Sequence, residues 1–238
     1  MTQQFYVSPE QVMKDRADFA RKGISRGRSV VVASCADGIA LVAENPSPSL
    51  HKIGEIYDKI AFAAVGKYNE FESLRQAGVR YADVRGYSYD RGDVTARGLA
   101  SVYAQSLGAV FTAEQKPFEV ELAVAEVGRS QAEDHLYRLT FDGSIADENG
   151  FIAMGGAVES VHAALAAGWD ASAGLGATVR LAVQVLSASG NGAAPLGAGS
   201  VEAALLERNS ESARGSVRAF RRLDPDELTA ILSAAAEG

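Results

Sequence analysis

Gly23-Ile24-Ser25-Arg26-Gly27 matches G-x-S-x-G, the pattern that presents a serine nucleophile on a sharp strand-to-helix turn. The flanking residues oppose that use, because a helical pattern runs into Gly23 and a β-branched run follows Gly27, the reverse of the order needed. A catalytic triad or a zinc site would also need histidine partners. His51, His135 and His162 are isolated in sequence, and no short metal-ligand spacing includes them. Gly174-Leu175-Gly176 and Gly190-Asn191-Gly192 are fragments of phosphate loops, completing neither G-x-G-x-x-G nor the lysine-bearing P-loop. The carboxylates Glu70/Glu72 and Asp224/Asp226/Glu227 stand at predicted helix starts, where negative charge complements the helix dipole. Cys35, the only cysteine, ends the apolar run Val30-Val31-Val32-Ala33-Ser34-Cys35 and reads as a small buried hydrophobe. These motifs assign no catalytic residue, no metal and no cofactor.

The elements that would carry any site are legible from periodicity. Ser8-Pro9-Glu10-Gln11 is a capping-box start with proline at the first helical position, so a helix is expected over residues 9–22, with Gly23 as its stop. Ser29 to Cys35 and Ile39 to Glu44 read as a hairpin around Asp37-Gly38. The breaker Asn45-Pro46-Ser47-Pro48-Ser49 precedes two more strands, Lys52 to Tyr57 and Ile60 to Gly66, joined by Asp58-Lys59. Phe71, Leu74, Gly78 and Tyr81 mark one helix, and Leu99, Val102, Tyr103, Leu107 and Val110 a second. Strands return at Phe118 to Val124, where Glu119 and Glu121 alternate with apolar residues, at His135 to Phe141, and at Phe151 to Met154. Glu159 to Trp169 and Ala171 to Ala188 form another helix pair, followed by strands Val201 to Arg208 and Val217 to Leu223 and a helix from Asp224-Pro225. Helix pairs separated by strand groups predict an α+β protein, a four-layer αββα sandwich, rather than a doubly wound sheet.

Composition narrows the partners. A formal net charge of −7 opposes nucleic-acid binding. No segment has the apolar length of a membrane span, and Met1 to Tyr6 lacks the cationic-then-apolar pattern of a secretory leader, so a cytoplasmic protein with no membrane partner is expected.

Several longer words carry a family resemblance. They include Ser8-Pro9-Glu10-Gln11, Ala20-Arg21-Lys22-Gly23-Ile24, Ala43-Glu44-Asn45-Pro46 and Leu50-His51-Lys52-Ile53-Gly54-Glu55-Ile56-Tyr57-Asp58. Phe62-Ala63-Ala64-Val65-Gly66-Lys67-Tyr68-Asn69-Glu70-Phe71, Gly86-Tyr87-Ser88-Tyr89-Asp90-Arg91, Val102-Tyr103-Ala104-Gln105 and Lys116-Pro117-Phe118-Glu119-Val120 continue the series. Together they resemble the α-type subunits of the proteasome core particle, of the actinobacterial kind. The resemblance implies the N-terminal nucleophile hydrolase fold with an extra N-terminal helix, in a non-catalytic subunit of a threonine-protease complex whose β subunits are catalytic. Active members of the family use an N-terminal threonine whose own amine serves as base. In this chain the equivalent strand start is Ser29, preceded by Arg28 instead of glycine, and Thr2 lies far upstream of that strand.

The resemblance further divides the chain into a gate segment, residues 1–8, and one α-subunit domain, residues 9–238. The gate set is Thr2, Gln3, Gln4, Phe5, Tyr6, Val7, Ser8 and Pro9, with Phe5 and Tyr6 as plug residues. The N-terminal Tyr-Asp-Arg latch of many α subunits is replaced by Met1-Thr2-Gln3-Gln4-Phe5-Tyr6, and Arg16 stands where other lineages have a gate tyrosine. Lys52, joined by Gly66 and Lys67, is implied to line a pocket between adjacent α subunits that receives the C-terminal carboxylate of an AAA-type ATPase activator. The implied partners are proteasome β subunits, neighbouring α subunits in a seven-membered ring, that ATPase, and unfolded protein substrates. The alternative is an active hydrolase of the same fold that matures by cleavage before Ser29.

Overall fold

The computed structural model describes residues 8–189, 195–208 and 218–234. Helix α1 (Pro9–Ile24) is followed by β1 (Val30–Cys35), β2 (Gly38–Glu44), β3 (Ile53–Tyr57), β4 (Ile60–Gly66), α2 (Tyr68–Ser88) and α3 (Ala96–Ala113). Then come β5 (Val120–Glu126), β6 (His135–Leu139), β7 (Ile145–Glu148), β8 (Phe151–Met154), α4 (Val158–Gly168), α5 (Leu175–Ser189), β9 (Val201–Glu207), β10 (Phe220–Arg222) and α6 (Pro225–Ser233). The strands form two antiparallel five-stranded sheets, ordered β10-β9-β2-β1-β8 and β3-β4-β5-β6-β7.

Each strand sends alternate side chains into different layers, which produces the sandwich. In β1, Val30 and Val32 face the other sheet while Val31 and Ala33 face α4 and α5. In β5, Ala123 and Ala125 face the inter-sheet layer while Val120, Leu122 and Val124 pack under α2 and α3. The expected αββα architecture is therefore observed, with a helical layer outside each sheet. Both faces of the central strands are covered, so these strands read as continuous apolar runs. Each fully buried Val, Leu or Ile contributes about 1.5–3 kcal/mol.

Several boundaries differ from expectation for local reasons. Helix α1 passes through Gly23 and ends at Ser25, whose backbone N–H donates to the Arg21 carbonyl. Gly23 is small because the Glu119 side chain lies across it. The first hairpin turns on Ala36-Asp37, with Cys35 opposite Gly38. Gly38 instead opens β2 at φ 150°, where a Cβ would overlap the Leu206 carbonyl of β9. Ala171 to Gly174 form a turn rather than the start of α5, the Asp170 carboxylate accepting from the Ser172 N–H and hydroxyl at 2.8 Å. Strand β7 had no separate expectation, and the Val217 expected in a closing strand lies outside the described residues, as does Gly190-Asn191-Gly192. Glu121, alternating as if exposed, is 7% exposed and ion-paired to Arg138 at 3.1 Å between the sheets. Burial pushes its carboxyl pKa up.

Tyr103 on α3 packs against Phe62 with ring centroids 5.9 Å apart. Its hydroxyl is buried over Gly78 and, among the described residues, finds no hydrogen-bond partner. An unpaired buried hydroxyl costs about 1–3 kcal/mol. Tyr103→Phe, which keeps the ring contact, is expected to stabilise the fold by about 1 kcal/mol, measured as a raised melting temperature. A lowered melting temperature would show that the hydroxyl has a partner in solution.

Candidate functional site

One end of the sandwich gathers the start of β1, the end of β2, the start of β3 and the end of β4, with α1 lying across it. Helix α1 buries Ala20 and Ile24 beside Phe141, and Arg16 donates to the Phe111 and Thr112 carbonyls at 2.7 and 3.2 Å. A guanidinium at the C-terminus of α3 is well placed for that helix's dipole. Arg16 thus anchors α1, a role its sequence position did not suggest. Ser8 caps α1, its hydroxyl accepting from the Gln11 N–H at 3.2 Å, and Pro9 is the first helical residue. Thr2, Gln3, Gln4, Phe5, Tyr6 and Val7 lie outside the described residues.

Lys52 stands just before β3. Its backbone N–H donates to Glu202 Oε2 at 2.9 Å, and its carbonyl accepts from Ala64 at 3.0 Å. Its Nζ donates to the Arg28 carbonyl at 2.8 Å. Burial pushes the ammonium pKa down to about 8, against the opposing pull of Glu44. Arg28 itself pairs through Nε with Glu44 at 3.0 Å. The arrangement leaves a partly desolvated lysine whose remaining N–H donors suit a carboxylate better than a neutral group.

Gly66 closes β4 against the Gly27 backbone, so Lys52 and Gly66 meet the same Gly27-Arg28 segment. Gly66 has φ 107°, and a Cβ there would overlap the Glu119 carbonyl. Gly66→Ala is therefore expected to cost about 2 kcal/mol, seen in chemical denaturation; an unchanged midpoint would mean the backbone relaxes at no cost. Lys67 is less closely joined to this group. Its N–H donates to the Glu119 carbonyl at 3.0 Å, and its ammonium pairs with Glu119 at 3.5 Å. Burial pushes the Glu119 carboxyl pKa up, but Lys116 and Lys67 outweigh it and hold the pKa down.

Beside Lys52 runs a cleft of about 540 Å³ lined by residues including Gly27, Arg28, Ser29, Glu44 and Gly156. Ser29 is 8% exposed and packed against Gly155. Ser25 of the G-x-S-x-G match caps α1, its hydroxyl donating to the Lys22 carbonyl at 3.1 Å, so no elbow forms. The histidines are dispersed: His51 contacts Glu202, His135 stacks near Tyr137, and His162 packs on Phe151. Cys35 is buried, and burial pushes its thiol pKa up. Among the described residues, no group of three His, Cys, Asp or Glu side chains could hold a metal ion, and no helix is long and apolar enough to cross a membrane.

Sequence reading missed the polar residues behind Lys52, namely Asn45, Glu202 and Arg222. A signal was present for Glu202, a lone carboxylate at an inward position of the apolar run Val201 to Leu206.

A family model described as proteasome subunit matches residues 24–204. A protein named proteasome subunit alpha from Renibacterium salmoninarum is 76% identical over 238 residues, covering 100% of this chain and 98% of the relative. One of the same name from Kineococcus radiotolerans is 59% identical, covering 98% of this chain and 99% of the relative. A third, from Thermomonospora curvata, is 58% identical, with coverage of 98% and 99%. With the αββα sandwich and near-complete coverage by relatives of this name, the chain belongs to the proteasome subunit family and groups with its α subunits.

Proposed function

We propose that this chain is a non-catalytic ring subunit of a proteasome core particle that scaffolds β-ring assembly, gates substrate entry and docks an ATPase activator. The observation that carries the non-catalytic part is the start of β1: Ser29 is 8% exposed and joined through Arg28 to the capped helix α1. A nucleophile with its own free amine would need a chain beginning there. Residues 1–8 form the gate and residues 9–238 the ring-forming domain. Lys52 is the carboxylate receptor, with Gly66 shaping the adjoining backbone and Lys67 adding positive charge. Identical subunits would pack head to tail in a closed ring of seven, stacked on a β ring that hydrolyses unfolded protein in the cytoplasm.

The test is the native and denatured mass of the chain co-expressed with a β subunit from the same organism. A four-ring particle whose α chain keeps residues 2–238 supports the reading. A small oligomer, or a chain beginning at Ser29, overturns it in favour of an independent protein or an active hydrolase.

A further inference from the structure

We propose that Glu202 is the positioning residue of the Lys52 carboxylate receptor, holding the Leu50–Ile53 segment so that the Lys52 ammonium is presented in one place. The inference rests on the docking role given to Lys52 above. Glu202 lies on β9 in the first sheet, Lys52 on the approach to β3 in the second, and the contact spans the inter-sheet layer.

The Glu202 side chain is 9% exposed, so its charge must be met by donors within the protein. Oε2 accepts from the Lys52 N–H at 2.9 Å and from Asn45 Nδ2 at 2.8 Å. Oε1 contacts His51 Nδ1 at 3.1 Å and is ion-paired with Arg222. A carboxylate offers about four acceptor positions, and these four partners use them. Two of the partners also hold the same segment by other bonds: Asn45 Nδ2 donates to the Leu50 carbonyl at 2.7 Å, and Arg222 donates to the Ile53 carbonyl at 2.6 Å. Four consecutive residues are thus gripped from one buried carboxylate and its neighbours. Fixing the backbone that carries the lysine reduces the ordering that binding must otherwise supply. Among the described residues, the charged groups facing the ammonium are Arg28, Glu44 and Glu202, with His51 adjoining Glu202. Glu202 is one of the two anions favouring the protonated form.

The experiment uses particles assembled with β subunits and a synthetic peptide of the activator's C-terminal residues, with a free or an amidated terminus. Glu202→Gln is expected to weaken the free-acid peptide about tenfold, to shrink its advantage over the amide, and to lower the pH at which binding is half lost. Glu202→Asp should recover part of the affinity, and Glu202→Gln combined with Lys52→Ala should bind no worse than Lys52→Ala alone. Wild-type affinity in Glu202→Gln with loss in Lys52→Ala overturns the positioning role and leaves the docking reading standing. Wild-type affinity in Lys52→Ala overturns the docking reading itself. If Glu202→Gln fails to assemble, Asn45→Ala removes one grip while keeping Glu202 charged; additive loss with Lys52→Ala there would make the cluster merely structural.

Discussion

Lys52→Ala is expected to weaken binding of a carboxylate-terminated activator peptide by about 10- to 100-fold. That range follows from the roughly 1.5–3 kcal/mol of a hydrogen bond to a charged group. Among the described residues the Lys52 Nζ makes one hydrogen bond, to the Arg28 carbonyl, and an ammonium has three donors to offer. The pH profile adds a second signature. Burial pushes the Lys52 pKa down from its ordinary 10.5 to about 8, so affinity should be highest below pH 8 and fall above it as the proton is lost. Folding has the opposite sign, because the unfolded lysine keeps its proton to higher pH. Between about 8 and 10.5 the unfolded chain binds more protons, and this group's contribution to stability rises with pH. Isothermal titration of the peptide into the assembled particle across pH 6.5–9.5, a range bracketing the shifted pKa, checks the affinity profile, and denaturant midpoints over the same range check the stability. Equal affinity in the wild type and Lys52→Ala would remove Lys52 from the site.

Asp134→Ala is expected to cost about 3–5 kcal/mol, lowering the melting temperature by about 10 °C. Asp134 and Arg208 form a bidentate pair at 2.7 and 3.0 Å, with side chains only 4% and 8% exposed. Asp134 also accepts from the Ser34 hydroxyl at 2.5 Å and the Gly128 N–H at 2.9 Å, while Arg208 donates to the Cys35 and Gly128 carbonyls. The pair ties β1 and the end of β9 in one sheet to the β5–β6 connection in the other, at the opposite end of the sandwich from Lys52. Removing one partner leaves a buried charge unmet. Replacing both by apolar residues, Asp134→Leu with Arg208→Met, should recover much of the loss. A cost under about 1 kcal/mol for Asp134→Ala would mean that water reaches Arg208.

How much of this was legible depends on where each signal lives. Chain-local signals were readable: the Ser8-Pro9 cap, the Asp58-Lys59 turn, the helical stripe through Leu99 and Leu107, and the alternation of helix pairs with strand groups. Strand β7, Ile145-Ala146-Asp147-Glu148, was not, because a short polar edge strand is held mainly by its pairing with β6 and has little apolar alternation. Glu121 looked exposed because its alternation is that of a one-sided strand; only the second sheet laid over β5 reveals the side chain as buried.

The same division applies to the site. Family words in the sequence were enough to single out Lys52, Gly66 and Lys67, and the helix-then-strand order around Ser25 to set it aside as a nucleophile, since motif context and residue type are properties of neighbouring positions. Tertiary structure alone decided that Lys52 and Gly66 meet at Gly27-Arg28 while Lys67 is drawn to Glu119, and that Glu202 stands behind Lys52. Those contacts join residues far apart in the chain, and their geometry follows from strand order and sheet register. One step of register would send a side chain to the opposite face.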